Sequence, residues 1–349
     1  MRSKLFELST ATTISLGGVD VPVFGLGLLL AAWGLFAALW LASRWWRYGV
    51  QGVVVGDLVP LAIVAGLIGY APRLTPSIPV YGYGFMLFLG FLSATWLASR
   101  RLEKQGADPN IAWDVAMWIF VGGIAGARLF FIAQYHNQFF AAGRSVSETL
   151  FRMINLQDGG LVFYGGAILG AVGFAIFCRV RHLSALALGD LLITSVFIGM
   201  AFGRLGCLLN GCCYGDYCEL PWAITFPVDS VPFKAQQMQG FLLGGEAGSL
   251  PVHPTQVYSA LNAFCLALLT LAYHPFRRFN GEVLALGWIA YPVSRFLVEF
   301  LRGDELGQLG TIFTISQYVS AVLFLLGILF YGIAMSRKAR TPSLVQLAT

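Results

Sequence analysis

Apolar residues run along this chain in blocks about as long as the 20 or so residues a helix needs to cross hydrocarbon. Polar residues are gathered between the blocks. The runs fall at roughly 21–43, 51–72, 79–99, 110–133, 160–178, 185–206, 256–273, 282–301 and 313–335, and so predict nine spans. Helices follow from the run lengths, because a helix satisfies its own backbone donors and acceptors in lipid. The expected fold class is therefore an all-α integral membrane protein.

Composition strengthens that reading. Of 349 residues, 57% are apolar and 11% charged, and mean hydropathy is +0.73. A water-soluble domain of this length could not cover its surface with so few polar groups. A net charge of +5 is too small to point to nucleic acid. Residues 1–20 open with Arg2 and Lys4 but hold no clean apolar core, so a cleaved signal peptide is not expected.

Charge alternates between successive connections. One set carries Arg44 and Arg47; Arg100, Arg101 and Lys104; Arg179 and Arg181; Arg277 and Arg278; Arg337, Lys338 and Arg340. The other, spread over longer segments, carries Arg2, Lys4, Arg73, Arg144, Arg152, Lys234 and Arg302. The positive-inside rule puts the first set in the cytoplasm, the amino terminus outside and the carboxyl terminus inside. Segments of about 135–159 and 207–255 then lie on the outer face.

The front of the chain looks duplicated. Val21-Pro22-Val23-Phe24-Gly25-Leu26-Gly27 is echoed by Ile78-Pro79-Val80-Tyr81-Gly82-Tyr83-Gly84, and Trp40-Leu41-Ala42-Ser43-Arg44 by Trp96-Leu97-Ala98-Ser99-Arg100. Asp57, Gly66 and Gly69 match Asp114, Gly123 and Gly126. A two-span unit preserves orientation, so the copies are parallel and not an inverted transporter repeat. The alternative is a chance likeness between small-residue packing faces. Tyr83 and Arg128 fall opposite Leu26 and Ala71, so the polar-poor front copy is expected to be peripheral.

Chemistry gathers around the arginines that lie in or at the ends of spans, Arg128, Arg204 and Arg295, since such charges face a bundle interior or a wet cavity. Arg204 opens the stretch Gly203–Gly215, rich in glycine and cysteine. Arg295 and Glu299 are four apart, on one helix face. Arg128 follows the small-residue run 122–127, where a neighbouring helix can approach closely. One reading pairs each arginine with an acid such as Asp114 or Asp190 to hold helices together. The other lets Arg204 and Arg295 converge on an anion, and a phospholipid head group suits two guanidinium forks. His253, where the second long segment re-enters the membrane, is either a base near neutral pH or an interfacial residue bonded to backbone. Tyr164, among the glycines of 159–166, is either beside a ligand or in an aromatic belt. Cys207, Cys212, Cys213 and Cys218 cluster on the expected outer face, where one structural disulfide is expected. Their spacing matches no familiar zinc site, and no metal is assigned.

The ordered set Tyr81–Met86, Gly126-Ala127-Arg128, Gly159–Gly166, Gly203–Gly206, Asn210-Gly211, Tyr214-Gly215, His253–Tyr258 and Arg295–Glu299 resembles the prolipoprotein diacylglyceryl transferases of bacterial inner membranes. The resemblance covers about residues 75 to 340. It implies a seven-span catalytic domain, with residues 1–74 a two-span addition and 341–349 a cytoplasmic tail. The implied activity moves the diacylglyceryl group of phosphatidylglycerol to the thiol of a lipobox cysteine in an exported preprotein, releasing glycerol phosphate, with no cofactor. It implies Arg204 and Arg295 as phosphate-binding and catalytic arginines, Glu299 as the group orienting Arg295, and Tyr164 or His253 as candidate proton acceptors. Tyr83, Arg128, Asn210 and Gly215 match further functional positions. Well-studied members have histidine where this chain has Tyr164, asparagine at Cys207 and glutamate at Cys212. These departures leave open a phospholipid-dependent transferase with another acceptor, or an anion- or lipid-binding transporter.

Overall fold

The computed structural model describes residues 77–139, 145–155, 160–242, 245–304, 307–308 and 310–336, with short stretches between residues 4 and 65. It divides into two units, Met1–Phe85 and Met86–Thr349. The first expected span lies mostly, and the second almost wholly, outside the described residues.

The smaller unit contributes two antiparallel ladders. β1 (Lys4–Ser9) pairs with β4 (Ser77–Tyr81), and β2 (Thr13–Leu16) with β3 (Val19–Pro22). These strands amend the all-helical expectation, which otherwise holds. Alternating stretches such as Lys4–Leu8 are too short for a span, and pairing satisfies their backbone groups.

From residue 82 onward the chain is helical. α1 (Gly82–Lys104) and α2 (Asn110–Gln134) are followed by two short helices, α3 (His136–Phe139) and α4 (Val146–Ile154). Then come α5 (Phe163–Val180), α6 (Ala185–Asn210), α7 (Val231–Met238), α8 (Thr255–Tyr273), α9 (Glu282–Glu299) and α10 (Ile315–Ser336). Among the described residues six helices are long and apolar enough to cross a membrane: α1, α2, α5, α6, α8 with its 3-10 extension to Phe276, and α10. The chain is an integral, multi-pass α-helical membrane protein. α9, outside that set, carries Glu282, Arg295 and Glu299.

Small residues set the packing, as lipid gives helices no hydrophobic reason to associate. At Gly126 of α2 a Cβ would sit 2.3 Å from the Gly165 carbonyl of α5, and at Gly165 one would sit 2.4 Å from the Gly126 carbonyl. Only glycine permits that mutual approach, which is the close contact expected for the run before Arg128.

One core cluster joins Leu102 of α1, Val115 of α2, Phe177 of α5 and Leu188 and Leu191 of α6. Basic residues gather with it. Arg101 donates to the Leu191 carbonyl, and Arg181 pairs with Asp114. Asp190, fully buried, accepts the Gly281 and Leu284 amides at 2.8 Å each and faces Arg277 at 3.8 Å. The acids that the sequence offered as partners for the intramembrane arginines are therefore engaged elsewhere.

Candidate active site

α6 starts on Ser184, whose hydroxyl accepts the Ala187 amide at 3.3 Å, and ends just past Arg204. Gly211 terminates it with a left-handed φ of 70°. Its amide returns to the Leu208 carbonyl at 3.1 Å, and that of Cys212 to the Cys207 carbonyl at 3.1 Å. This glycine-capped ending satisfies the last carbonyls and turns the chain sharply.

The chain then threads between two other segments. Gly215 donates to the His253 carbonyl at 3.0 Å and pairs with Arg302 in an isolated antiparallel bridge, while Asp216 donates to the Leu301 carbonyl at 2.9 Å. A Cβ on Gly215 would lie 2.4 Å from the His253 Cβ and 2.7 Å from the Leu301 carbonyl. Three backbones meet there, so Gly215 ties the end of α6 to the end of α9. Farther along the same segment, Phe226 and Val252 form a buried cluster with Tyr214.

At the end of α9, Glu299 is 2% exposed and gathers three donors. Arg295 Nη1 lies 2.7 Å from its Oε2, Arg302 Nη1 3.4 Å from the same oxygen, and the Thr314 hydroxyl donates to Oε1 at 2.9 Å. Arg302 is held further by Asp304, at 2.8 and 2.9 Å. Arg295 also reaches the Ser316 hydroxyl at 3.4 Å. Its Nη1 is buried against its counter-charge, without an aligned hydrogen bond to it.

Arg204 completes the cluster. It lies in the electrostatic field of Arg302, and Arg295 lies in the fields of Arg204 and Arg302. Among the described residues no carboxylate lies within ion-pair distance of Arg204, and Tyr291, Cys213 and Cys207 are among its neighbours. Arg295 and Arg302 thus share Glu299, Arg302 also holds Asp304, and Arg204 adds a third like charge that repels the other two.

The other predicted residues divide. Asn210 ends α6 beside the Cys212 thiol. His253 Nδ1 lies 3.4 Å from the Tyr258 hydroxyl, which accepts from Trp222 Nε1 at 2.7 Å. Arg128 turns to backbone, donating to the carbonyls of Met153 (2.9 Å), Gly160 (2.9 Å), Arg152 (2.5 Å) and Asn155 (2.7 Å). The rings of Phe131 and Phe139 lie 5.4 and 5.6 Å from it. It fastens residues 152–155 and Gly160 onto α2. Tyr164 is half-exposed on the first turn of α5 beside Phe163, with no hydrogen bond to the arginine cluster among the described residues. Tyr83 is also exposed, in the smaller unit. The expected disulfide is absent, since all six cysteines are free thiols.

Sequence reading missed Arg302, Tyr291 and Thr314. The signal was available for two: Tyr291, Arg295, Glu299 and Arg302 recur at four, four and three residues, one face of a helix prolonged by a turn. Thr314 comes from the start of α10, which only the fold brings near.

The described geometry has relatives. Residues 70–333 match the family model for prolipoprotein diacylglyceryl transferase. A phosphatidylglycerol–prolipoprotein diacylglyceryl transferase from Clostridium tetani is 33% identical over 264 residues, covering 75% of this chain and 96% of the relative. One from Clostridium perfringens is 32% identical over 74% of this chain and 92% of the relative, and one from Rhodopirellula baltica is 28% identical over 86% and 84%. Since the match takes in α1 through α10, including Arg204, the Gly215 crossing and the Arg295–Glu299 pair, the chain belongs to the prolipoprotein diacylglyceryl transferase family.

Proposed function

We propose that this protein transfers the diacylglyceryl group of phosphatidylglycerol to the lipobox cysteine of exported preproteins. The observation that carries the reading is the cationic cluster at the ends of α6 and α9. Arg204 lacks a carboxylate partner among the described residues, and Arg295, held by Glu299, lies in its electrostatic field. Guanidinium forks match phosphate oxygens, and charge-assisted bonds of this kind strengthen as the leaving phosphate gains charge.

In the proposed step the cysteine sulfur attacks the glyceryl carbon that bears the phosphate. A C–S bond forms, the C–O bond breaks, and the electron pair leaves on glycerol phosphate. The thiol proton passes to a base. Arg204 and Arg295 hold the phosphate, and Glu299 fixes Arg295 between substrate and protein. Arg302 shares Glu299 and thereby positions it. His253 is the favoured proton acceptor, because Gly215 ties its backbone to the segment carrying Arg302, whereas Tyr164 stands apart from the cluster. Arg128, Asn210 and Gly215 act by shaping the cavity, and Tyr83 is assigned to lipid contact.

The same proposal places nine spans in a bacterial inner membrane, amino terminus outside and carboxyl terminus cytoplasmic. Its support is the gathering of Arg101, Arg277 and His274 within one another's electrostatic reach, at the end of the bundle that the positive-inside rule assigns to the cytoplasm. Phosphatidylglycerol, lipobox preproteins and membrane lipids are the partners; nucleic acid is not. Residues 1–74 are proposed to be dispensable for turnover, and loss of activity in a folded truncation would count against this.

The test supplies purified protein with phosphatidylglycerol vesicles and a lipobox peptide. Thioether product is expected, and Arg204→Ala is expected to abolish it in a protein that still inserts. No product beside an active family member would overturn the reading. Lipid binding without product would favour a lipid-binding role.

A further inference from the structure

Immediately beyond Arg204 the chain turns three thiols toward one another. The sulfurs of Cys207, Cys212 and Cys213 all lie within 4.8 Å of each other, each residue partly exposed. Their backbone is held firmly. The Cys207 carbonyl accepts both the amide and the thiol of Cys212, at 3.1 and 3.8 Å. Two side chains at the head of α8, almost wholly buried, pin the turn from beneath: the Thr255 hydroxyl donates to the Cys213 carbonyl at 2.7 Å, and Gln256 Nε2 to the Cys212 carbonyl at 2.9 Å. Cys213 itself is held at φ 60°, left-handed for a residue with a side chain, which persists only where the surroundings over-determine it.

We propose that Cys207, Cys212 and Cys213 form a binding site for a thiophilic cation, with Zn²⁺ as the representative ion. Zn–S bonds of about 2.3 Å in tetrahedral geometry place sulfurs about 3.8 Å apart, so side-chain rotation has at most roughly an ångström to close at each pair. Sulfur ligands select soft or borderline ions over Mg²⁺ and Ca²⁺. Three thiols are one more than a disulfide uses, and none of the six cysteines is bridged. On binding, three S–H protons pass to solvent, three metal–sulfur bonds form, the ion stays divalent and water takes the fourth position.

The charge of the filled site has a consequence that rests on the transferase reading. Three thiolates and one divalent ion leave a net negative charge beside Arg204, which precedes Cys207 by three residues on α6 and so shares its helix face. A bound ion therefore competes with the lipid phosphate for Arg204, and turnover falls as the site fills.

The experiment titrates the full-length protein in detergent with Cd²⁺, following thiolate-to-metal charge-transfer absorption, and with Zn²⁺ by calorimetry. One ion per chain is expected. Cys207→Ser, Cys212→Ser and Cys213→Ser should each weaken binding by at least the roughly 10- to 100-fold that loss of a partner outside the ligand set costs. The combined Cys178→Ser, Cys218→Ser, Cys265→Ser variant should bind as wild type. If serine variants misfold, protection of the three thiols from maleimide by Zn²⁺ in the wild-type protein replaces them. Absence of the absorption band, equal binding by the Cys207/Cys212/Cys213 triple variant, or a disulfide among these residues in protein isolated without reductant would overturn the site. Unchanged turnover in the Zn²⁺-loaded enzyme would overturn the coupling to Arg204 and leave the site standing. A protein without transferase activity leaves the binding arm readable, because the band needs no turnover.

Discussion

Replacing Glu299 by glutamine removes one charge and almost no volume from the centre of the cluster. The Thr314 hydroxyl can still donate to the remaining carbonyl, and Arg302 keeps both oxygens of Asp304 at 2.8 and 2.9 Å. The loss falls on Arg295, which exchanges a 2.7 Å ion pair for little beyond the Ser316 hydroxyl at 3.4 Å. Breaking a buried pair by removing one partner costs about 3–5 kcal/mol. The retained contacts put this site at the lower end, about 3 kcal/mol. If Arg295 must be oriented in the transition state, that corresponds to roughly a 10²-fold fall in turnover at about 1.4 kcal/mol per decade. The assay measures thioether formation from phosphatidylglycerol and a lipobox peptide in proteoliposomes, beside thermal unfolding of the same preparation. Glu299→Gln is expected to lose turnover while remaining folded. Glu299→Asp, too short to hold Arg295 and Arg302 together, should be nearly as poor. Turnover within about threefold of wild type in a folded Glu299→Gln protein would refute the orienting role.

Other outcomes follow from neighbouring geometry. Gly215→Ala forces a methyl group against His253 and the Leu301 carbonyl; overpacking of this kind costs about 1–3 kcal/mol, and both melting temperature and turnover should drop. A neutral result would mean that the crossing of the three segments is loose. Arg128→Met strips four carbonyls of their donor, so limited proteolysis should cut residues 145–160 faster than in wild type. Equal cleavage rates, with lost lipid binding instead, would return Arg128 to a substrate role. Tyr164→Phe should turn over at the wild-type rate, while His253→Gln should be impaired with a changed pH profile; the reverse pattern would make Tyr164 the proton acceptor.

The legible part of this protein was the part written in local pattern. Runs of about 20 apolar residues located every long helix from α1 to α10, because lipid obliges a spanning segment to satisfy its own backbone. The i, i+4 spacing of Arg295 and Glu299 made them partners before any fold was known, and the small residues before Arg128 announced a close helix contact. The β1–β4 ladder was less visible, since pairing between segments about 70 residues apart in sequence leaves little local trace.

Pairing across helices was decided elsewhere. Arg128, Arg204 and Arg295 look alike in the sequence as arginines in or beside apolar runs, yet the first is spent on carbonyls, the third is tied to Glu299, and Arg204 has no carboxylate partner among the described residues. Their different surroundings come from which segments the chain folds beside them: 152–155 and Gly160 against α2, and 211–216 between His253 and Leu301. The cysteines behave likewise, spaced as for an expected disulfide but folded into three facing thiols by the turn at Gly211. Sequence by itself determined where the long apolar helices lie and which residue types were available for chemistry. Tertiary structure alone decided which charges were neutralised, because neutralisation depends on distances between groups far apart along the chain.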